Sequence, residues 1–151
     1  MGVIIKYLNN LYYIIQHKIN VAIECIKMGL YWHAITHDIS KLLPSEFIPY
    51  ANNFHGGPWK KYVKRNRRAM DNAWQWHKNR NPHHWDFWVK GGGTPIPMPE
   101  KYVQQLIADW RGMGRQKGFY DAITYYNKTK DRMVLHKETI ELIHKYLGIL
   151  N

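Results

Sequence analysis

The sequence predicts an all-α protein. Three observations carry this. Apolar side chains recur at spacings of three and four, no segment alternates in the manner of a strand, and the interruptions fall at glycine and proline clusters. At 151 residues, 45% of them hydrophobic, the chain has the length of one domain, residues 1–151, and enough apolar material for a buried core. The fold class expected is a compact helical bundle.

The elements follow in order. Residues from about Val3 to Met28 carry apolar side chains at helical spacing, and Gly29 is a stop signal. A second helix is expected from Tyr31 to Leu42, ending ahead of Pro44. Ser45 can cap a short helix over Glu46 to Asn52. His55-Gly56-Gly57-Pro58 reads as a turn, and Trp59 to Lys78 as a long basic helix. Pro82 suits a first helical position, so His83 to Val89 is expected to form one short helix. The run from Lys90 to Pro99, rich in Gly and Pro, reads as a loop and a lid over a site. Glu100 to Met113 is helical, with Val103, Leu106, Ile107 and Trp110 as its apolar stripe. Helices over Phe119 to Asn127 and Leu135 to Leu147 close the chain.

Lys and Arg total 22 against 11 Asp and Glu, a net charge of +11, which attracts phosphates, nucleic acid or anionic lipid without choosing among them. Seven Trp and eleven Tyr read mainly as packing residues, and some can stack on bases. The single cysteine, Cys25, excludes an internal disulfide and lies in an apolar stretch as a small core residue. The apolar N-terminal stretch is interrupted by Lys6, Asn9, Asn10 and Gln16, so no run reaches the roughly 18 residues of a membrane span. A cytoplasmic protein with no membrane partner is the expectation.

Nine histidines are many for this length, and their placement is informative. His37 and Asp38 are adjacent within the expected second helix, where neighbouring positions point about 100° apart. Such a pair converges on one cation only where a helix edge meets a cleft. Imidazole and carboxylate together suit zinc, iron, manganese and similar ions. Asp109 shares a helix face with Tyr102, Leu106 and Met113, at the edge of the buried stripe. A carboxylate there needs a cation or hydrogen-bond donors, and a salt bridge to Arg or Lys would also satisfy it. His17, among Tyr13, Ile14 and Val21, reads alone as a hydrogen-bonded core residue.

Taken together, the order His17, His37-Asp38, Asp109 in a helical chain resembles the HD-domain superfamily of metal-dependent phosphohydrolases. His37-Asp38-Ile39-Ser40-Lys41 is similar to that superfamily's H-D-x-x-K form. The run His37 to Phe47, then Trp76-His77 and Asn81-Pro82-His83-His84-Trp85, also resembles a small, largely uncharacterised HD-like family of bacteria and phages. The resemblance implies that His17, His37, Asp38 and Asp109 bind a divalent metal (Mn, Fe, Co, Zn or Ni). It implies that Asp38 orients the attacking water and that Lys41 faces the substrate phosphate. Superfamily members with two metals use two further histidines between the His-Asp pair and the last Asp. His77 with either His83 or His84 would fill that role here, and the seven-residue spacing from His77 favours His84, although Pro82 interrupts the helix. The resemblance gives His33 no role, so packing or support of a neighbouring ligand is expected for it. His55, in its glycine turn, is expected to be solvated.

Glu46, two turns from the pair across Pro44, reads first as a helix-surface charge and only second as a candidate general acid or base. Lys78 and Arg80 beside His77, and Arg111 and Arg115 beside Asp109, are candidate phosphate ligands by proximity in sequence. The substrate class implied is a phosphate ester, with a nucleotide (a nucleoside mono- or triphosphate, a cyclic nucleotide or an alarmone) favoured. Two rival readings remain. An HD-fold di-iron oxygenase is consistent with a second histidine pair. A nucleic-acid-binding protein without catalysis is consistent with the basic run Lys60 to Arg68.

Overall fold

Seven α-helices joined by short 3-10 turns make up the described structure, a computed structural model that describes residues 2–54, 66–118 and 121–149. They are α1 (Gly2–Lys27), α2 (Tyr31–Thr36), α3 (Pro44–Phe54), α4 (Arg67–Arg80), α5 (Glu100–Lys117), α6 (Ala122–Thr129) and α7 (Lys137–Leu147). The all-α expectation holds, and there is no strand among the described residues. Val89 and Pro95 form only an isolated bridge across the Lys90–Gly93 turn. No helix among the described residues is long and apolar enough to cross a membrane. Residues 55–65, with the His55 turn and most of the basic run, lie outside the described residues.

α5 is the organising element. Val103, Leu106, Ile107 and Trp110 on one side pack with Met98, Ala122, Tyr126, Ile143 and Leu147, which ties α6 and α7 to it. Its other side meets α1 and α2 through Ala108, Val21, Cys25 and Ala34. Burial raises the Cys25 thiol to about 11, which keeps it an inert core residue. The loop before α5 is anchored to this core: Met98 is buried in it, and the Met98 amide donates to Thr139 Oγ1 (2.9 Å). No hydrogen bond described for this loop runs to a histidine.

The α1–α5 approach is set by Gly112. A Cβ there would stand 2.5 Å from Val21 Cγ2 and 2.7 Å from Val21 Cα. Backbone cannot yield as a side-chain tip can. Gly112→Ala is therefore expected to cost ~1–3 kcal/mol by overpacking. That corresponds to a Tm loss of about 2–10 °C, measurable by thermal denaturation.

Caps explain several boundaries. Asn66 accepts from the Ala69 amide to start α4, and Asp121 accepts from the Thr124 amide to start α6. Gly118 and Gly148, both at φ 72°, end α5 and α7 in the left-handed conformation. Four expected elements differ. Of the basic helix expected over Trp59 to Lys78, the described part is helical only from Arg67, with Asn66 as its cap, and runs on to Arg80. The helix over Tyr31 to Leu42 stops at Thr36, and Ile39–Leu42 is a 3-10 turn. Pro44 opens α3, so Ser45 lies inside the helix rather than capping it. After Pro82 there is only the 3-10 turn Trp85–Trp88, not a helix over His83 to Val89.

α1 also carries an apolar stripe that faces solvent. Ile4, Ile5, Leu8, Leu11, Tyr12, Ile15, Ile19, Ile23 and Ile26 are each 37–65% exposed. At 100° per residue they fall within an arc of about 120°, roughly opposite the buried Ile14, His17, Val21 and Glu24.

Candidate metal centre

The break after α2 creates the centre. His37 leaves the helix with extended ψ, and Asp38 adopts the left-handed conformation (φ 54°, ψ 22°), the only non-glycine residue described with positive φ. Aspartate tolerates this region because its short polar side chain bonds locally. In a continuous helix the two side chains would diverge by about 100°. The left-handed step instead turns both into the interior, where His37 and Asp38 are nearly inaccessible. The sequence expectation of a pair inside a helix is corrected accordingly.

Other elements bring partners to the same place. α1 contributes His17, α2 His33, α4 His77, the turn after Pro82 both His83 and His84, and α5 Asp109. His17 Nε2 lies 3.1 Å from Asp109 Oδ1 and 3.2 Å from His37 Nε2, and His37 Nε2 lies 3.3 Å from Asp38 Oδ2. On the other side of the same carboxylate, Asp38 Oδ1 lies 3.4 Å from His77 Nε2 and 3.4 Å from His83 Nε2. His84 Nε2 is 2.9 Å from His77 Nε2. Donors about 2.1 Å from one ion stand roughly 3.0–3.4 Å apart in octahedral or tetrahedral arrangement, so these separations suit ligation. Three sets converge closely enough to hold an ion around the aspartates: His17 with His37 and Asp109, Asp38 with His77 and His84, and His83 with His84 and Asp109. His83 and His84 both reach the centre, so the either-or expectation is replaced by both.

The hydrogen-bonding of the centre tests whether a cation fits. Glu46 is fully buried. Its Oε2 accepts from Ser40 Oγ (2.9 Å) and faces His77 Nδ1 (2.9 Å), and its Oε1 accepts from Arg80 (2.6 Å). Burial pushes the Glu46 carboxyl up, but hydrogen bonds from His77, Arg80 and Ser40 outweigh it and hold the group below its ordinary value. An ionised Glu46 accepts only, so His77 faces it with a proton on Nδ1, the tautomer in which a metal-binding imidazole has its lone pair at Nε2. That lone pair points toward the Asp38 carboxylate. Both Asp38 oxygens, Asp109 Oδ1 and His83 Nε2 are buried without a well-directed hydrogen bond. A buried cluster of facing acceptors is costly, and a cation between them removes the cost.

Protonation states point the same way. Burial lowers His33 to about 4 and His37 to about 3, and lowers His83 and His84, so these imidazoles are neutral. Burial raises Asp38 and Asp109, but the Lys41 ammonium beside Asp38, and His17 beside Asp109, outweigh it and keep both ionised. Burial lowers Lys41, and Asp38 and Asp109 outweigh that, holding it protonated. Two carboxylates thus face one ammonium, and neutral imidazoles surround them. This buried His/Asp cluster can hold a metal ion.

The remaining candidates divide. Lys41 Nζ is 2.6 Å from Asp38 Oδ2 and borders a hollow of about 360 Å³ with Tyr13, Tyr50 and Lys117. A second hollow, about 350 Å³, lies against His84 and Asp109 and is lined by Trp74, Trp85, Tyr125 and again Lys117. Glu46 is not a surface charge: it is fully buried and faces His77 Nδ1. His33 Nε2 lies 3.2 Å from His37 Nδ1, and His33, His37 and His83 form a further set close enough to hold an ion. Lys78 pairs with Asp86 (3.6 Å), and Arg80 is taken up by Glu46. Arg111 donates to the Tyr146 carbonyl (2.8 Å), and Arg115 Nε to Glu24 (3.2 Å). These two arginines line a different hollow, beside Glu24 and Asp121, and so do not stand at the cluster. Lys117 was missed, although its spacing of four from Met113, itself four from Asp109, puts all three near one helix face.

The family model of DUF5662, a family of unknown function, matches residues 6–149. No curated protein and no solved structure matches the chain.

Proposed function

We propose that this chain, which belongs to the DUF5662 family of unknown function, is a metal-dependent phosphohydrolase acting on a phosphate ester, a nucleotide being the favoured substrate. One observation carries this reading: Asp38 turns one oxygen toward His17 and His37 and the other toward His77 and His83, with the Lys41 ammonium beside it. A carboxylate so placed can serve two neighbouring ligand sets, and the ammonium supplies charge for a phosphate. The resemblance of His37-Asp38-Ile39-Ser40-Lys41 to the HD form supports the same chemistry.

The ligands in this reading are His17, His37, Asp38 and Asp109, with His77, His83 and His84 on the second side. A divalent cation there supplies Lewis acidity and makes water nucleophilic at neutral pH. The chain's own groups do the rest. Asp38 orients the attacking water by accepting its hydrogen bond. Lys41 neutralises charge on the phosphoryl oxygens as it accumulates. Tyr50, raised by burial to about 12, remains protonated and offers an O–H donor at the hollow that Lys41 borders, while the Tyr13 hydroxyl beside it donates to Met113 Sδ. Lys117, common to both hollows, is placed to meet a substrate lying across them.

The experiment is metal analysis of the purified protein followed by hydrolysis assays. Protein loaded with Mn, Co, Fe, Ni or Zn is expected to carry one to two ions per chain. It should hydrolyse members of a nucleotide and phosphomonoester panel without oxygen, and EDTA should abolish the activity. Absence of bound metal, or no hydrolysis with any of these ions, would refute the reading. Oxygen consumption by an iron-loaded form in place of hydrolysis would establish the oxygenase alternative.

A further inference from the structure

The solvent-facing stripe on α1 takes no part in the metal centre. From the exposures of its side chains it offers on the order of 900 Å², against about 800 Å² per partner in a standard specific interface. The largest apolar patch on an ordinary monomer is smaller, about 300–600 Å². A helix apolar on both faces is normally covered on both.

The spacing of the stripe indicates what covers it. Taken from Ile15, its members Leu11, Leu8 and Ile4 lie 4, 7 and 11 residues toward the N-terminus. Ile19, Ile23 and Ile26 lie 4, 8 and 11 residues toward the C-terminus. The stripe is thus nearly the same read in either direction, and no charged residue lies within it. An antiparallel copy of α1, related by a twofold axis at Ile15, would set Leu11 against Ile19 and Ile4 against Ile26 along about 33 Å of helix. A twofold interface requires a surface complementary to itself, which this one is.

A membrane surface fits less well. Helices that lie on anionic lipid carry free lysines beside the apolar face. Here Lys6 is bound to Asn52, Lys18 to the carbonyls of Ile35 and His37, and Lys27 to Glu24. We infer that the protein is a homodimer formed through antiparallel pairing of this α1 face in two copies of the chain.

Light scattering with size exclusion and cysteine cross-linking test this together. The wild-type protein is expected at twice its 18.1 kDa chain mass. Ile15→Glu, at a half-exposed position outside the core, is expected to halve that mass with unchanged helicity and metal content. Ile15→Cys places a thiol on the proposed axis and should form a self-disulfide under mild oxidation. Lys27→Cys, off the stripe, should not, and the native Cys25 is fully buried. A monomeric wild type at ~100 μM, a dimer unaffected by Ile15→Glu, or a monomer that sediments with anionic vesicles would each overturn the inference.

Discussion

Asp38→Asn is expected to remove most of the bound metal and to lower phosphate-ester hydrolysis by about three orders of magnitude, roughly 4 kcal/mol of transition-state stabilisation. The substitution is chosen for the backbone. Position 38 sits at φ 54°, and asparagine tolerates that region, whereas alanine adds strain there. Asparagine also keeps the side chain's size. What changes is the charge on a group that turns one oxygen toward each of two histidine sets. Its amide presents a nitrogen with two hydrogens where one oxygen had a lone pair, so one set loses the ligand atom that position 38 supplied. The Lys41 ammonium, 2.6 Å away, loses its ion-pair partner and weakens cation binding further by repulsion. Metal content by plasma emission, circular dichroism and steady-state rates check this together. Retained metal with unchanged turnover in a folded variant would contradict the assignment of the centre.

Much of the scaffold was readable because its signals are local. α1, α5 and α7 announce themselves by apolar periodicity, and Gly118 and Gly148 end two of them for a backbone reason. The second helix shows where locality fails. Ile35, Ile39 and Leu42 continue the helical pattern through position 42, yet all three are exposed in the fold. Apolar spacing without burial extended a helix that a left-handed residue ends. Nothing nearby in the sequence marks Asp38 for that conformation; the interior it faces is supplied by α1, α4 and α5.

The same distinction separates the candidate site residues. His17, His37, Asp38 and Asp109 could be picked out only as an ordered set, since the packing that joins them spans most of the chain. Arg111 and Arg115 were chosen for nearness to Asp109 along the chain. Two or six residues along a helix turn a side chain well off Asp109's face, and both arginines are engaged at Tyr146 and Glu24. The His83 or His84 alternative was framed by helical spacing from His77. The turn that follows Pro82 is not helical and delivers both rings. Glu46 stood in sequence as a surface charge or a catalytic group because its partners are 31 and 34 residues away.

Glu46 carries the second large expected effect, and its two substitutions separate a positioning role from a catalytic one. The carboxylate is fully buried and satisfies Ser40, His77 and Arg80. Glu46→Ala leaves buried donors without an acceptor and opens a cavity. A loss of ~2–4 kcal/mol is expected from the unsatisfied buried donors and the cavity, the half-exposed Arg80 being able to turn to water, read by urea denaturation of the metal-free protein. Glu46→Gln keeps the volume, and an amide N–H directed at His77 Nδ1 reverses the proton. The imidazole then carries hydrogen on Nε2, the atom that faces Asp38 and His84. Affinity for metal on that side should fall by about 10–100-fold, the usual cost of losing a partner behind a metal-bound histidine. The readout is metal titration. A residue that only positions His77 gives a rate restored by excess metal. A general acid or base gives a rate that stays low at full metal occupancy. Restoration is the expected outcome, because Glu46 meets the centre only through the far side of the His77 ring.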